Sequence, residues 1–469
     1  MREKLAGDPP LKITLINPPS HNAELLSIGI KAPPLGLAYL ASMLEKSGYE
    51  VKIIDAPALD ISIPQIKDIL SKDQPEIIGI TASTPMIYDA HNVARAAKEV
   101  CPNSTVVLGG PHPTFLPIET LQECPSADIV CIGEGEETMV ELAETIKKKM
   151  DLSKVRGIAF RTGDGKIVIT EPRPLIRDLD SLPFPAWHLL PMDKYTVLGK
   201  KAIICHVMSS RGCPFQCIFC SSSRVFGRKY RARSAKNVVD EIEFLVSEYN
   251  PRSIEFSDDE FTLNQKRTEE ICDELKRRGI DIAWACGSRV DTISSSLLRK
   301  MRETGCSFIY YGIESASQRI LDFIKKGITI EQIKKAVEMT KEVGIKMMGS
   351  FIVGFPDETR EEIKSTLHFP KKLNIDYVQL TIATPYPGTE LYEIAKKENL
   401  LLTKDWSQYT TLRPVMALRN ISVKELQKII KRAYISFYLS PKILKENLGK
   451  YALPALKLVL KEILNYLKF

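Results

Sequence analysis

The stretch at residues 203–220 reads IICHVMSSRGCPFQCIFC. Its first part, residues 203–209, is short and apolar, as a strand buried in a parallel sheet must be. Its second part carries Cys213, Cys217 and Cys220 at the spacing C-x3-C-x2-C. Structural cysteines packed in a core have no reason to cluster at this spacing on a loop. Three thiolates on one loop can bind three irons of a [4Fe–4S] cluster and leave the fourth iron open to the amine and carboxylate of a small molecule. A three-cysteine zinc site is the competing metal reading.

Strand-like runs recur downstream at residues 253–256, 283–285, 308–311, 347–352 and 377–380, separated by helical stretches such as 236–248 and 359–373. Six β/α units in succession predict a partial (β/α)6 barrel with its chemistry at the strand C-termini. A second alternating series lies upstream, with strand runs at residues 12–17, 51–55, 77–81, 105–109 and 128–132 and amphipathic segments at 35–47 and 87–100. Each run is β-branched and apolar on both faces, which predicts a doubly wound parallel sheet. The fold class is therefore α/β throughout, with two α/β domains in series. Between them, residues 156–170 read as a β-hairpin around TGDGK, and residues 172–191 are Pro-rich but carry Phe184, Trp187, Leu189 and Leu190.

A chain of 469 residues is too long for one core and suits this division. Hydrophobic residues at 44% and charged residues at 26% exclude a disordered or collagen-like chain. The net charge of +7 is confined to the residues from Ser422 onward, where ten Lys and Arg face three Asp and Glu. A basic tail of this kind is not a nucleic-acid face spread over the molecule, and nucleic acid is not expected as a partner. Ten cysteines in so long a chain do not form a disulfide framework, and the polar, Pro-rich opening is no secretory signal. A cytoplasmic location is expected.

The triplet with Phe219 directly before its third cysteine resembles the radical S-adenosylmethionine (SAM) superfamily, over roughly residues 200–400. In that family the aromatic packs near the SAM adenine. The resemblance implies further SAM contacts at successive strand ends. Asp258 and Asp259, in Ser257-Asp258-Asp259-Glu260, stand where the family has acids touching the SAM amine. Arg289 suits the SAM carboxylate. Glu314 and Ser315, in Gly312-Ile313-Glu314-Ser315, resemble the turn that binds the ribose. Gly354-Phe355-Pro356 and Tyr386-Pro387-Gly388-Thr389 complete the set, with Tyr386 as a contact.

The upstream domain resembles the cobalamin-binding domain of B12-dependent radical SAM enzymes. The resemblance rests on Thr81-Ala82-Ser83-Thr84-Pro85, Gly109-Gly110-Pro111-His112-Pro113 and Gly133-Glu134-Gly135-Glu136, with Asn17-Pro18-Pro19 and Pro33-Pro34-Leu35-Gly36. It implies cobalamin contacts at Pro34, Leu37, Ser83, Thr84, Gly109, Gly110, His112, Gly133 and Glu134. Glycines at strand ends let a bulky ring approach the backbone, and small hydroxyls can reach a buried tail. The family's Asp-x-His-x-x-Gly, whose His is cobalt's lower ligand, has no counterpart. The corresponding position falls at Leu37 and Ala38, and neither can ligate a metal. His91 is expected on a helix surface, and His112 is expected to order its turn.

The resemblance implies a domain order of tail (1–10), cobalamin-binding domain (11–150), hairpin and linker (151–199), radical SAM domain (200–400) and helical basic C-terminal domain (401–469). It implies a [4Fe–4S] cluster, SAM and methylcobalamin as cofactors, and an electron donor of flavodoxin or ferredoxin type as partner. Reductive cleavage of SAM then yields a 5′-deoxyadenosyl radical, and methylcobalamin delivers a methyl group to an unactivated carbon. The alternative is radical C–C bond formation, cyclisation or rearrangement on a lipid or other hydrophobic substrate. A tRNA methylthiotransferase ranks lower, because Cys101, Cys124 and Cys131 do not read as a second cluster site. No motif names the substrate, which could be a lipid, a small molecule or a protein side chain. The C-terminal helix, with Leu453, Leu456, Val459, Leu460, Ile463 and Leu467 at helical spacing among lysines, reads as a packed helix or as a peripheral contact with anionic lipid.

Overall fold

A computed structural model describes residues 10–20, 30–197 and 200–439. The expected C-terminal helix at residues 451–469 lies outside the described residues. Two compact units emerge, the first chiefly Pro33–Arg177 and Ser181–Lys194 with the opening strand, the second chiefly the chain from Tyr195 onward.

The first unit is built on strands β1 (Lys12–Asn17), β2 (Glu50–Asp55), β3 (Ile77–Thr81), β4 (Thr105–Gly109) and β5 (Ile129–Cys131), all parallel, in the spatial order β2-β1-β3-β4-β5. The order reverses direction between β1 and β3. Right-handed crossovers therefore place helices on both faces, and the crevice beyond the carboxyl ends of β1 and β3 is where such sheets bind ligands. Burial on both faces accounts for the unbroken apolar runs, with Leu15, Ile16, Ile77, Ile78, Val106 and Leu108 all inaccessible or nearly so. The hairpin β6 (Ile158–Arg161) and β7 (Ile167–Ile169) is not a detached element. It adds antiparallel to β5 and makes the sheet seven-stranded.

The second unit carries β8 (Ile204–Val207), β9 (Ser253–Phe256), β10 (Ala283–Ser288), β11 (Cys306–Glu314), β12 (Lys346–Val353) and β13 (Tyr377–Ile382), parallel and in sequential order. Each crossover steps the same way, so right-handed connections put the crossover helices on one face. That face is fully buried: Cys205, Val207, Ile254, Phe256, Trp284, Cys286, Ile309 and Tyr311 alternate with half-exposed residues of the opposite face. A parallel sheet with one bare face curls into a partial barrel. The covering helices start at caps their sequence supplies. α1 (Ala235–Tyr249) opens on Ser234, α2 (Ile330–Glu342) on the Thr329–Gln332 capping box, and α3 (Arg360–Leu373) on the Thr359–Glu362 capping box.

Two strands run further than their sequence suggests. β10 extends to Ser288 and β11 to Glu314, through Gly287 and Gly312. Ladders on both sides supply the hydrogen bonds that local propensity does not favour. The edge strand β13 would present unpaired backbone groups. Helix α4 (Val423–Tyr438) covers them with two tyrosines one turn apart. The Tyr434 hydroxyl accepts from Leu380 N (2.9 Å) and donates to Leu380 O (2.8 Å), and the Tyr438 hydroxyl donates to Val378 O (2.8 Å). Among the described residues, no helix is long and apolar enough to cross a membrane.

Candidate functional site

All ten cysteines are free, and seven are buried; only Cys213, Cys217 and Cys220 are partly accessible. These three sit on the loop after β8, at the carboxyl rim of the barrel sheet. The loop is fixed at both ends. Gly212 adopts φ +86°, and a Cβ there would stand 2.5 Å from Lys229 O, so only glycine fits. Gly212 N donates to Asp259 Oδ2 (3.1 Å), and Cys213 N donates to Gly227 O (3.2 Å). Further on, Ile218 N donates to Ile324 O (3.1 Å) and Ile218 O accepts from Leu391 N (2.9 Å). Burial raises the pKa of all three thiols, that of Cys213 to about 11, while the nearby cations Lys326 and Arg289 work against the rise at Cys217. No three His, Cys, Asp or Glu side chains among the described residues are grouped so as to hold a single ion. A cubane makes no such demand, since each thiolate takes its own iron.

The three acids after β9 do different work. Asp258 accepts from Ser209 N and Oγ and from Ser210 Oγ, at 2.5–2.6 Å, and so anchors the start of the cysteine loop. Glu260 is buried in a knot, accepting from Arg289 N, Thr262 Oγ1 and Thr292 Oγ1. Asp259 has the Gly212 amide and a further bond to Ser222, and burial raises its pKa.

Arg289 follows β10 and is 5% exposed. Its guanidinium carbon lies 3.5 Å from the ring centroid of Phe215 in the cysteine loop, a cation–π stack. Its fork is taken by Asp291 at 2.8 and 2.9 Å, and Nη2 also donates to Lys326 O (2.8 Å). A second buried cation near the cysteines is Lys326, which sequence reasoning passed over. It is buried and paired with Glu314 (2.8 Å). Burial opposes its charge, but Glu314 and the Cys217 sulfur outweigh that and raise its pKa. Glu314 stands at φ +69°, left-handed for a residue with a Cβ, where β11 slips register against β12. A Cβ on Gly312 would sit 2.6 Å from Glu314 Oε1 and 2.7 Å from Lys326 Nζ, so the pair closes only over glycine. The only signal for Lys326 in sequence is Lys325-Lys326-Gly327 after a short helix, which reads as surface.

Ser315 is buried and turned inward, hydrogen-bonded to Thr366 Oγ1 (3.1 Å) on α3 and accepting from Ser317 N (3.1 Å). Phe219 is half-buried, its ring centroid 6.3 Å from that of Phe355 in the turn after β12. Glu358 fixes that turn, accepting from Gly354 N (2.6 Å) and Phe355 N (3.2 Å). Tyr386 is half-buried after β13, its carbonyl accepting from Thr389 N and Oγ1.

In the first unit the loops after β3 and β4 are zipped together. Ala82 N donates to Gly109 O (2.8 Å) and His112 N to Ala82 O (3.3 Å). Gly110 adopts φ +100°, and a Cβ there would be 2.7 Å from Ala82 O. Gly109 and Ser83 remain partly accessible, while Thr84 is buried and its Oγ1 lies 3.3 Å from His112 Nδ1. Gly133, at φ +78°, has open space where a Cβ would be, and its amide donates to Thr114 Oγ1 (3.1 Å). Glu134 is buried, and its Oε2 accepts from Ile176 N (2.8 Å), which ties down the Pro-rich segment. Pro34 precedes the helix Leu35–Lys46, in which Leu37 and Ala38 are buried. The expectation for His91 is corrected: it is buried, not on a helix surface. Its pKa falls to about 4, through burial and then Arg95, and its Nε2 has no hydrogen-bond partner. His112 is likewise held neutral by burial, at about 4.

Residues 207–369 match the radical SAM superfamily and residues 24–143 the B12 binding domain. The chain is 48% identical to an uncharacterised methyltransferase of Pyrococcus horikoshii, over 94% of this chain and 95% of that one. It is 34% identical to the anaerobic magnesium-protoporphyrin IX monomethyl ester cyclase of Rubrivivax gelatinosus, over 96% and 82%. This chain belongs to the cobalamin-binding radical SAM family. Its cofactors are accordingly a [4Fe–4S] cluster, SAM and cobalamin, and the family's chemistry requires a reductant and a substrate. The fold agrees with that of the radical SAM methyltransferase TsrM of Kitasatospora setae, at a TM-score of 0.70 and 19% identity over 84% of this chain and 76% of that one. The residues present fit the cofactors: three partly accessible thiols beside two buried cations at one rim, and, in the first unit, glycines at the carboxyl ends of β4 and β5 where a ring can approach the backbone.

Burial lifts the pKa of Glu358 to about 8, against its two amide donors. A carboxyl with a raised folded pKa binds more protons folded than unfolded, so stability falls as pH rises from the unfolded value near 4.5 to about 8. Melting of the wild type should therefore drop relative to Glu358→Gln across pH 5 to 8 and run parallel above it. Parallel melting curves across the whole range would show that Glu358 is ionised throughout.

Proposed function

We propose that this protein is a cobalamin-dependent radical SAM methyltransferase that transfers a methyl group to an unactivated carbon. The observation that carries this reading is the rim of the barrel sheet, where the three accessible cysteines meet the Glu314–Lys326 pair, in a chain 48% identical to a methyltransferase over nearly its whole length. When bound, the cluster with SAM supplies hydrogen abstraction from a carbon of no acidity, and cobalamin supplies the methyl group.

The chain's own residues then have distinct tasks. Cys213, Cys217 and Cys220 hold three irons, and Gly212 and Asp259 fix the loop that presents them. Lys326 offers a desolvated ammonium to the SAM carboxylate, a stronger attraction than the same charge in water gives. Arg289 positions Phe215 and the Lys326 backbone rather than using its own fork. Glu314 accepts from the ribose and holds Lys326 in place. Phe219, against Phe355, provides the apolar wall for the adenine, and Tyr386 closes the far end of the rim. Asp258 acts one step removed, by holding Ser209 and Ser210 at the root of the loop.

In the first unit, Ser83, Thr84, Gly109, Gly110 and Gly133 line the crevice for the corrin and its tail, and Pro34 and Leu37 close it. Leu37 and Ala38 carry no metal-ligating atom, so they would offer a bound cobalamin none, and His112 Nδ1 lies 3.3 Å from Thr84 Oγ1 in its own turn. The reductant is a flavodoxin or ferredoxin. C–C bond formation is the second reading, supported by the cyclase relative at 34% identity.

Two experiments separate these claims. Reconstituted enzyme is incubated anaerobically with deuterated-methyl SAM, a reductant and cell extract. Methyl transfer puts the labelled methyl into a product seen by mass spectrometry, whereas 5′-deoxyadenosine formation with an unlabelled product supports cyclisation instead. The Co(II) form should show no nitrogen superhyperfine splitting by electron paramagnetic resonance. Splitting that disappears in His112→Ala or His91→Ala would assign that histidine to cobalt.

A further inference from the structure

The helices of the second unit lie on one face of its sheet, and the other face is half-exposed. Its side chains fall into rows across the strands, since the register pairs His206 with Glu255, Glu255 with Ala285, and Ala285 with Phe308. In the next row Gly287 pairs with Tyr310. Glu255 is a half-buried carboxylate to which no hydrogen bond or ion pair is made among the described residues, and burial raises its pKa. Its neighbour His206 offers no countercharge: its Nδ1 lies 3.0 Å from Ser257 Oγ, and burial lowers its pKa to about 4. Among the described residues, the positions next to Glu255 on this face are small. Ala285 is small, and a Cβ on Gly287 would meet nothing closer than Asp258 O at 3.9 Å. Past that gap stands an aromatic wall, with the Phe308 ring centroid 4.9 Å from that of Tyr310 and 5.7 Å from that of Tyr377. The Tyr310 hydroxyl feels Glu255, which adds to the effect of burial in raising its pKa.

A carboxylate withdrawn from water without a partner is unfavourable, and a cation brought beside it recovers that loss. Aromatic faces take flat apolar groups and tolerate a nearby cation. We propose that this inner face is the substrate subsite, and that it selects a molecule with a protonated amine and a flat apolar body, the amine on Glu255 and the body against Phe308 and Tyr310 across the space left by Ala285 and Gly287. The assignment of this face to substrate rests on the radical SAM reading. The preference for an amine rests on the face itself.

Calorimetry on the full-length, cofactor-loaded protein under anaerobic conditions tests it with three probes that share one ring: 2-(2-naphthyl)ethylamine, 2-(2-naphthyl)ethanol and 2-naphthylacetate. The amine should bind at least about tenfold more tightly than the alcohol, with the acetate weakest. Glu255→Gln should abolish that preference, Glu255→Asp should keep part of it, and Phe308→Ala should weaken amine and alcohol alike. Equal binding of amine and alcohol by the wild type would overturn the proposal. So would an undiminished preference in Glu255→Gln. Should the Gln variant fail to fold, as judged by circular dichroism, an Asp variant that binds both probes equally would overturn it. Release of 5′-deoxyadenosine by the wild type in the same preparation tests the radical SAM reading separately, so intact SAM cleavage without an amine preference counts against the subsite alone.

Discussion

The buried ion pair between Glu314 and Lys326 is the constraint around which the rim of the barrel sheet is arranged. Two charges out of water are costly, and removing one partner of such a pair costs about 3–5 kcal/mol because the other charge is stranded. Several local features serve the pair. Gly312 leaves the room it needs, and Glu314 accepts a left-handed backbone to reach it. Arg289 binds the Lys326 carbonyl while stacking on Phe215 of the cysteine loop. Burial with so many fixed partners has a chemical consequence. A cation held beside the thiols of Cys217 and Cys220 is already in place for an anionic group bound there.

The two units solve the same problem with opposite topologies. Both are right-handed parallel α/β structures whose ligands gather at the carboxyl ends of strands. Reversal of strand order between β1 and β3 in the first leaves a crevice at the sheet's end, fit for a large planar ring. Strictly sequential order in the second puts the crossover helices on one face and leaves the other face without them. One chain thus provides a cradle and a concave platform, and the loops at both carry glycines at positive φ where the backbone must be approached closely.

Strand positions were legible in the sequence because the central strands are short, largely apolar runs bounded by turn residues. The cysteine triplet was legible because its spacing has no structural purpose. Strand lengths were less so: Gly287, Ser288 and Gly312 carry no strand preference of their own and are recruited by neighbouring ladders. The roles of charged residues depend on partners far away in the chain. The sequence does not show that Asp291 bonds the Arg289 fork or that Ser209 and Ser210 bond Asp258; those partners appear only in the fold. Lys326 reads as surface because only the fold brings it to Glu314. His91 looks exposed on a polar helix, yet its side faces the core.

The central claim is that the three accessible cysteines carry a cluster that cleaves SAM. Iron and sulfide analysis of anaerobically prepared protein, alongside a variant with Cys213, Cys217 and Cys220 all changed to Ala, tests it most directly. The wild type should hold about four irons and four sulfides per chain and form 5′-deoxyadenosine with a strong reductant; the variant should hold none and form none. Four irons retained by the triple variant, or 5′-deoxyadenosine still formed by it, would contradict the account.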